Sequence, residues 1–261
     1  MSVPGIYRRL LDSPPFKKGG WGKFLRVCLS AGEKLPEEVR ERFREKTGIT
    51  IREGLGMTEH SVYLVQGVNE PVVPGSCGKP LPGTKITILR DDLTECAPGE
   101  TGVIASHRSC EGLMLGYHGS DGGENFHGEW FVSDDLAHKD EAGNFFFVGR
   151  RDDVITAGGY RVSPMEVEAV LNTHPAVEES AVVGREIEPG KTIVVAAVVC
   201  RGGVSPPSKE DLMRHASRHL AKYKIPREVV FTDRLPKTES GKIKRKELRQ
   251  APKINGIRRG F

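Results

Sequence analysis

No stretch of the 261 residues approaches the roughly 18 to 20 uninterrupted apolar side chains that a membrane-spanning helix needs. The opening Met1-Ser2-Val3-Pro4-Gly5 also lacks the charged and apolar regions of a secretory leader. A cytoplasmic location is therefore the expectation. Cysteine is scarce: Cys28, Cys77, Cys96, Cys110 and Cys200 are odd in number and widely spaced, and no Cys-x-x-Cys pair suggests zinc or a redox motif. Reduced, mostly buried thiols are expected. Aromatic residues make up 7% of the chain and do not interleave with its basic C-terminal stretch, Lys237 to Arg249 with Arg258 and Arg259 beyond, so a nucleic-acid signature is missing. The net charge of +4 is modest, and binding of a phosphate-rich small molecule explains the basic stretch as well. With 37% hydrophobic and 28% charged residues, the composition is that of a globular protein with enough apolar material for one large domain or two ordinary ones.

What is present divides the chain into segments of different texture. An apolar run over 24–31 ends at Gly32, and Pro36-Glu37-Glu38 opens a charge-rich surface helix, followed by a second short strand over Ile49–Arg52. This is a β-α-β opening, the unit of a parallel sheet. From Pro71 to Phe147 short β-type runs, 85–89, 102–106, 130–132 and 144–148, alternate with Gly and Pro, as in a small irregular β-barrel or sandwich. Beyond Gly149-Arg150-Arg151-Asp152, Ser163-Pro164-Met165-Glu166 has the form of a capping box for a helix reaching Leu171, and strands are expected at 180–183 and 192–200. Residues 208–223 place Leu212, Ala216, Leu220 and Tyr223 on one helical face. The expected class is α/β and α+β: an α/β piece over 1–72, a β-barrel-like part over 73–148, a hinge at 149–152, and a compact α/β domain over 153–261.

Five clusters carry chemistry. Gly54-Leu55-Gly56-Met57-Thr58-Glu59 falls at a strand end, where open sheets bind ligands; its glycines admit a close ligand, its Thr hydroxyl suits a phosphate oxygen, and its carboxylate suits Mg²⁺. Turn glycines beside a surface Glu explain the same residues. Ser133-Asp134-Asp135 puts carboxylates at a strand end, where one of them can bridge two ribose hydroxyls, although an Asp turn has the same look. Gly149-Arg150-Arg151-Asp152 offers an Arg-Asp pair, and Ala157-Gly158-Gly159-Tyr160-Arg161 an open backbone or a plain hairpin turn. Finally Pro236-Lys237-Thr238-Glu239-Ser240-Gly241-Lys242 presents one ammonium from a tight turn, a device for neutralising a carboxylate or a phosphate, or else a solvated basic loop.

In this order the segments resemble the adenylate-forming superfamily of acyl-CoA synthetases, peptide-synthetase adenylation domains and luciferases. The family's aromatic-Gly-x-Thr-Glu, Thr-Gly-Asp, Gly-Arg-x-Asp, Gly-x-Arg and Pro-Lys-Thr-x-x-Gly-Lys patterns align with 55–59, 133–135, 149–152, 159–161 and 236–242. The resemblance implies that a carboxylic acid is activated by ATP to an acyl-adenylate and passed to the thiol of CoA. It assigns Lys242 and Glu59 to catalysis, Glu59 also to Mg²⁺, and Gly56, Met57, Thr58, Asp135, Arg150 and Lys242 to the nucleotide. It makes Asp152 the hinge, places Gly158, Gly159, Tyr160 and Arg161 beside CoA, and lines the acyl pocket with Ala31, Gly32, Gly54 and Leu55.

Two positions depart from the pattern. Ser133-Asp134 replaces Thr-Gly, and Leu55 stands where many members carry an adenine-stacking tyrosine; together with Ser30-Ala31-Gly32-Glu33 it is more like the benzoate-type aryl and medium-chain acid ligases. The family's Gly/Ser/Thr-rich phosphate loop is not found in the 261 residues. A fragment, or one half of a two-chain enzyme with a separate N-terminal half chain, is therefore expected, with poor adenylation by this chain alone and uncovered apolar surface around 24–29. Neither nucleic acid nor membrane is an expected partner. A noncatalytic, nucleotide-binding or interaction module, and a ligase that loads a carrier protein, are the alternatives.

Overall fold

The computed structural model describes residues 1–17, 25–119, 125–238 and 241–250. Phe24, Glu239, Ser240, Arg258 and Arg259, which figure in the sequence expectations, lie outside them. The chain forms two compact units, Met1–Phe147 and Val148–Phe261. Among the described residues no helix is long and apolar enough to cross a membrane.

In the first unit, α1 (Pro4–Asp12) and the four-residue α2 (Pro14–Lys17) precede β1 (Cys28–Ser30), α3 (Glu37–Thr47) and β2 (Ile51–Met57). Strand β1 starts four residues later than its apolar run suggests, and Leu25 and Val27 before it are exposed. Helix α3 ends where Gly48 turns left-handed at φ 73° and its N–H returns to Arg44 O. Strands β1 and β2 pair in parallel, Ser30 opposite Glu53, so the β-α-β unit is present. Tyr7, Leu11, Phe16, Val39, Phe43 and Ile51 form the core beneath it.

Strand β2 runs on through Gly54-Leu55-Gly56-Met57 and folds back antiparallel into β3 (Ser61–Val65), with β4 (Lys79–Pro80) at the far edge. The expected strand over Ile49–Arg52 is therefore longer and starts at Ile51. The fold-back is tight: a Cβ on Gly56 would lie 2.2 Å from Ser61 O and 2.8 Å from its carbonyl carbon. An antiparallel sheet follows, with β5 (Ile86–Leu89), β6 (Gly102–His107) and β8 (Trp130–Lys139) in that order, and β7 (Phe126–His127) and β9 (Phe145–Arg150) both pairing with β8. This is a half-barrel.

The second unit begins with the hairpin of β10 (Ile155–Ala157) and β11 (Tyr160–Val162), then α4 (Pro164–Leu171), β12 (Val177–Glu188), β13 (Lys191–Cys200), α5 (Lys209–Ser217), β14 (Glu228–Phe231) and α6 (Arg245–Gln250). Strand β13 pairs antiparallel with β12 and parallel with β14. Both faces of this sheet are buried: Val182, Val194, Ala196 and Val198 pack against Leu171 of α4 and Leu212 and Ala216 of α5, while Ala181, Val183, Val195 and Ala197 pack against Leu235 and Leu248. Two local expectations need correction. Helix α5 stops at Ser217, so Tyr223 sits in a 3₁₀ turn and is exposed, although Leu212, Ala216 and Leu220 are buried. Only half of the capping box forms: Ser163 Oγ accepts from Glu166 N–H, but the Glu166 carboxylate takes up Lys224 Nζ at 2.6 Å instead of returning to Ser163.

Gly56→Ala tests the fold-back. The backbone collision predicts a loss of about 1 to 3 kcal/mol, read by urea denaturation followed through tryptophan fluorescence, because Trp130 lies in β8 of the first unit and no tryptophan falls in 148–261. An unchanged midpoint would contradict the geometry.

Candidate functional site

Residues 58–60 form the tip between β2 and β3, closed by His60 N–H donating to Met57 O at 3.1 Å, with Ser61 left-handed at φ 52°. Glu59 is tied twice to the segment after β6: Met114 N–H donates to its backbone O at 2.7 Å, and Tyr117 Oη to its carboxylate at 2.6 Å. Next to it His60 is buried, stacked on Tyr63 at 5.2 Å with Nδ1 2.9 Å from Ser106 Oγ, and its ring lies under Gly112, whose added Cβ would come within 3.2 Å of it. Leu55 and Met57 pack against the Tyr63-Leu64-Ile88 core. The parallel β1–β2 register ends at Ser30 opposite Glu53, so Ala31-Gly32 leave the carboxyl end of β1 while Gly54-Leu55 continue inside β2 and pair with Val65 and Leu64 of β3.

Asp135 lies inside β8, not at its end as the sequence suggests. Val103 pairs with Leu136 and Ala105 with Val132, so Ser133-Asp134-Asp135 bulge opposite Ile104. Such a bulge re-aims a side chain. Ser133 is buried and fastens it: its Oγ donates to Ile104 O at 2.9 Å and accepts from Asp135 N–H at 3.1 Å. The hydroxyl therefore stabilises the bend, and exposed Asp134 occupies the outward position. Burial pushes the Tyr63 phenol well above the ordinary range, and the acidic groups of Asp135, Cys77 and Glu59 add to that. Among the described residues no group of three His, Cys, Asp or Glu converges on one point. A single carboxylate such as Glu59 has the chemistry of a Mg²⁺ ligand, since that ion is held by one or two carboxylates plus phosphates.

In the second unit three loops carry the remaining sequence-predicted residues. At its start Asp153 N–H and Val154 N–H donate to Arg150 O at 3.0 and 3.1 Å, closing a turn that contains Asp152. The Arg150–Asp152 ion pair at 3.1 Å is more than half exposed on both sides. An exposed pair contributes at most about 1 kcal/mol, so the backbone bonds hold this turn. Gly158 and Gly159, at φ 57° and 81°, join β10 to β11 in a two-residue hairpin. A Cβ on either would meet nothing within 4 Å, so the backbone angles and not crowding call for glycine. Tyr160, exposed, stacks on Tyr223 at 4.4 Å and 18°, beside exposed Arg161.

Lys242 is exposed on one arm of a small hairpin. Thr238 N–H donates to Lys242 O at 2.8 Å, Lys242 N–H to Thr238 Oγ1 at 3.1 Å, and Lys244 N–H to Pro236 O at 2.9 Å. Gly241, at φ 95°, makes the bend possible. Lys237, also exposed, is held by Glu179 at 2.5 Å.

Residues 1–118 match the model of the AMP-binding enzymes, and residues 166–242 match that of the AMP-binding enzyme C-terminal domain. The chain belongs to the AMP-binding enzyme family. It is 40% identical over 230 residues to the uncharacterized acyl–CoA ligase YtcI of Bacillus subtilis strain 168, covering 87% of this chain and 44% of that one. To the benzoate–CoA ligase of Thauera aromatica it is 36% identical over 252 residues, covering 95% and 48%. The crystal structure of the anthranilate CoA ligase AuaEII in complex with anthranoyl-AMP superposes with a TM-score of 0.82 at 32% identity, over 97% of this chain and 49% of that one. The chain thus spans about half the length of the curated relatives it matches.

Sequence patterns miss Tyr117, His60 and a buried network behind the site, in which Arg40 donates to Glu53, to Gln66 Oε1 at 3.2 Å and to Ile51 O at 2.9 Å. Glu53 immediately precedes Gly54, so this network fixes the strand that carries the site.

Burial lowers the His60 pKa below its ordinary 6.5. The unfolded chain then takes up this proton first on acidification, so the stability of the first unit is complete above pH 6.5 and declines as pH falls from there towards the folded value. Tryptophan-monitored denaturation across pH 7.5 to 5 should show that decline, and a smaller one in His60→Phe; equal slopes would contradict it.

Proposed function

We propose that the chain supplies part of the catalytic machinery of an AMP-forming acid–CoA ligase, acting on an aromatic or medium-chain carboxylic acid. A carboxylate oxygen of the acid bonds to the α-phosphorus of ATP as the bond to the bridging oxygen breaks, and pyrophosphate leaves. The CoA sulfur then bonds to the acyl carbon, its proton passes to solvent, and AMP leaves.

The observation that carries this reading is that a chain matching both domains of the family has an acidic tip and bulge in its first unit and an exposed lysine hairpin in its second. Glu59, oriented by Tyr117, holds Mg²⁺ delivered with ATP, and Gly56, Met57 and Thr58 flank the phosphates. Asp135, aimed by the Ser133 bulge, takes the ribose hydroxyls, with Arg150 on the same ligand. Lys242 neutralises charge that grows on the carboxylate and α-phosphate oxygens in the transition state. The turn at Asp152 is the hinge that exchanges Lys242 for the Gly158-Gly159-Tyr160-Arg161 hairpin, which lies against CoA. Ala31, Gly32, Gly54 and Leu55 line the acyl pocket. The names of the relatives favour CoA over a carrier protein as acceptor, and benzoate and anthranilate ligases among them favour an aromatic acid.

Expression of the chain together with the coding region upstream of it, followed by assay of pyrophosphate release and acyl-CoA formation with a panel of acids, tests the reading. Lys242→Ala should lower adenylation by about 100-fold or more and leave thioester formation from preformed acyl-adenylate nearly intact. Retained adenylation with a lost thioester step would reverse the assigned roles.

A further inference from the structure

The residues that follow Lys242 are held by charges that the motif itself does not contain. Arg245, the first residue of α6, donates from Nη2 to both oxygens of Glu168 at 2.7 Å, and its Nη1 lies 3.8 Å from Asp153 Oδ2. Glu168, on α4, is buried, and one of its oxygens also accepts Val182 N–H of β12 at 2.7 Å. One turn along α6, Arg249 donates to the other oxygen of Asp153. Two arginines of one short helix thus converge on two carboxylates, and Asp153 is the residue directly after Asp152.

A six-residue helix is marginal by itself, so its place must come from such contacts and from Leu248, which is buried against β12 and β13. One planar guanidinium thus spans two carboxylates, Nη2 on Glu168 and Nη1 towards Asp153, which fixes its direction as well as its distance. Burial raises the Glu168 pKa while Arg245 opposes that rise, so removing Arg245 would leave an acid with little reason to stay ionised in its place. The consequences reach both ends of the segment. Lys244 N–H closes the lysine hairpin onto Pro236 O, and Asp153 N–H closes the hinge turn onto Arg150 O.

We propose that Arg245 is a positioning residue, a half-buried clamp through buried Glu168 and through Asp153 that holds the Lys242 hairpin and the Asp152 turn in one rigid arrangement, so that movement of the hinge and placement of the lysine are coupled. This rests on the reading of Lys242 as the lysine of the adenylation step. Lysine at position 245 keeps the charge but loses the fork and makes one contact at a time.

Amide hydrogen exchange in the purified chain reads the clamp without any need for activity. In Arg245→Met the amides of Thr238, Lys244 and Val154 should exchange about a hundredfold faster, the scale of losing one partner of a buried charge pair, while amides in the centre of β13 and at Gly159 keep their rates. Arg245→Lys should restore part of the protection. Unchanged exchange at Thr238, Lys244 and Val154 overturns the proposal, and so does an equal acceleration of β13 in both variants, which marks a purely structural role. In the co-expressed enzyme, Arg245→Met should lower kcat for adenylation with KM for ATP unchanged; a rise in KM with kcat unchanged also overturns it. If Lys242→Ala retains adenylation, the reading of Lys242 fails by itself, while the exchange data still decide the clamp.

Discussion

The close approach of β2 and β3 at Gly56 is the constraint from which the first unit's site follows. With the Ser61 carbonyl where a side chain would stand, β2 turns back within three residues and presents Thr58 and Glu59 at the tip. The same fold-back buries His60 and Tyr63 below that tip, and the segment from Gly112 to Tyr117 closes over them. A residue larger than glycine at 56 disturbs all of these at once. The acidic site is therefore built from a backbone collision avoided, and its side chains are secondary to that geometry.

Charge is handled differently in the two units. In the first, Tyr63 is buried and its phenol is pushed well above the ordinary range by that burial, with Asp135 and Glu59 adding to the shift. In the second, carboxylates are neutralised internally by Arg245 and Arg249, and a lysine is left exposed at the surface of an ordered hairpin. Both arrangements suit a reaction in which negative charge moves between a carboxylate and a phosphate.

Much of this was legible in the sequence, for identifiable reasons. Positive-φ turns demand glycine, so Gly158-Gly159 and Gly241 mark their hairpins directly, and the β-α-β opening follows from an apolar run ending at Gly32, a proline at Pro36 and a second short strand. Other features are invisible to pattern. Arg40 sits in a run of alternating charges that looks wholly solvated, yet it is buried against Glu53 and Gln66, because burial depends on partners 13 and 26 residues away. The Ser133 bulge depends on a register shift opposite Ile104, which no local rule supplies. Tyr223 fits the helical period of α5, but the helix ends at Ser217, and the ring goes to Tyr160 instead. Glu166 completes a capping motif on paper and pairs with Lys224 in the fold.

The most direct measurement is calorimetric titration of the purified chain with a non-hydrolysable analogue of an aromatic acyl-adenylate, compared with Asp135→Ala. Saturable one-to-one binding, weakened about tenfold or more when the Asp135 carboxylate is removed, is the predicted result. Absence of binding, or equal binding by Asp135→Ala, would contradict the claim that the Glu59 tip and the Ser133–Asp135 bulge form an adenylate-binding site.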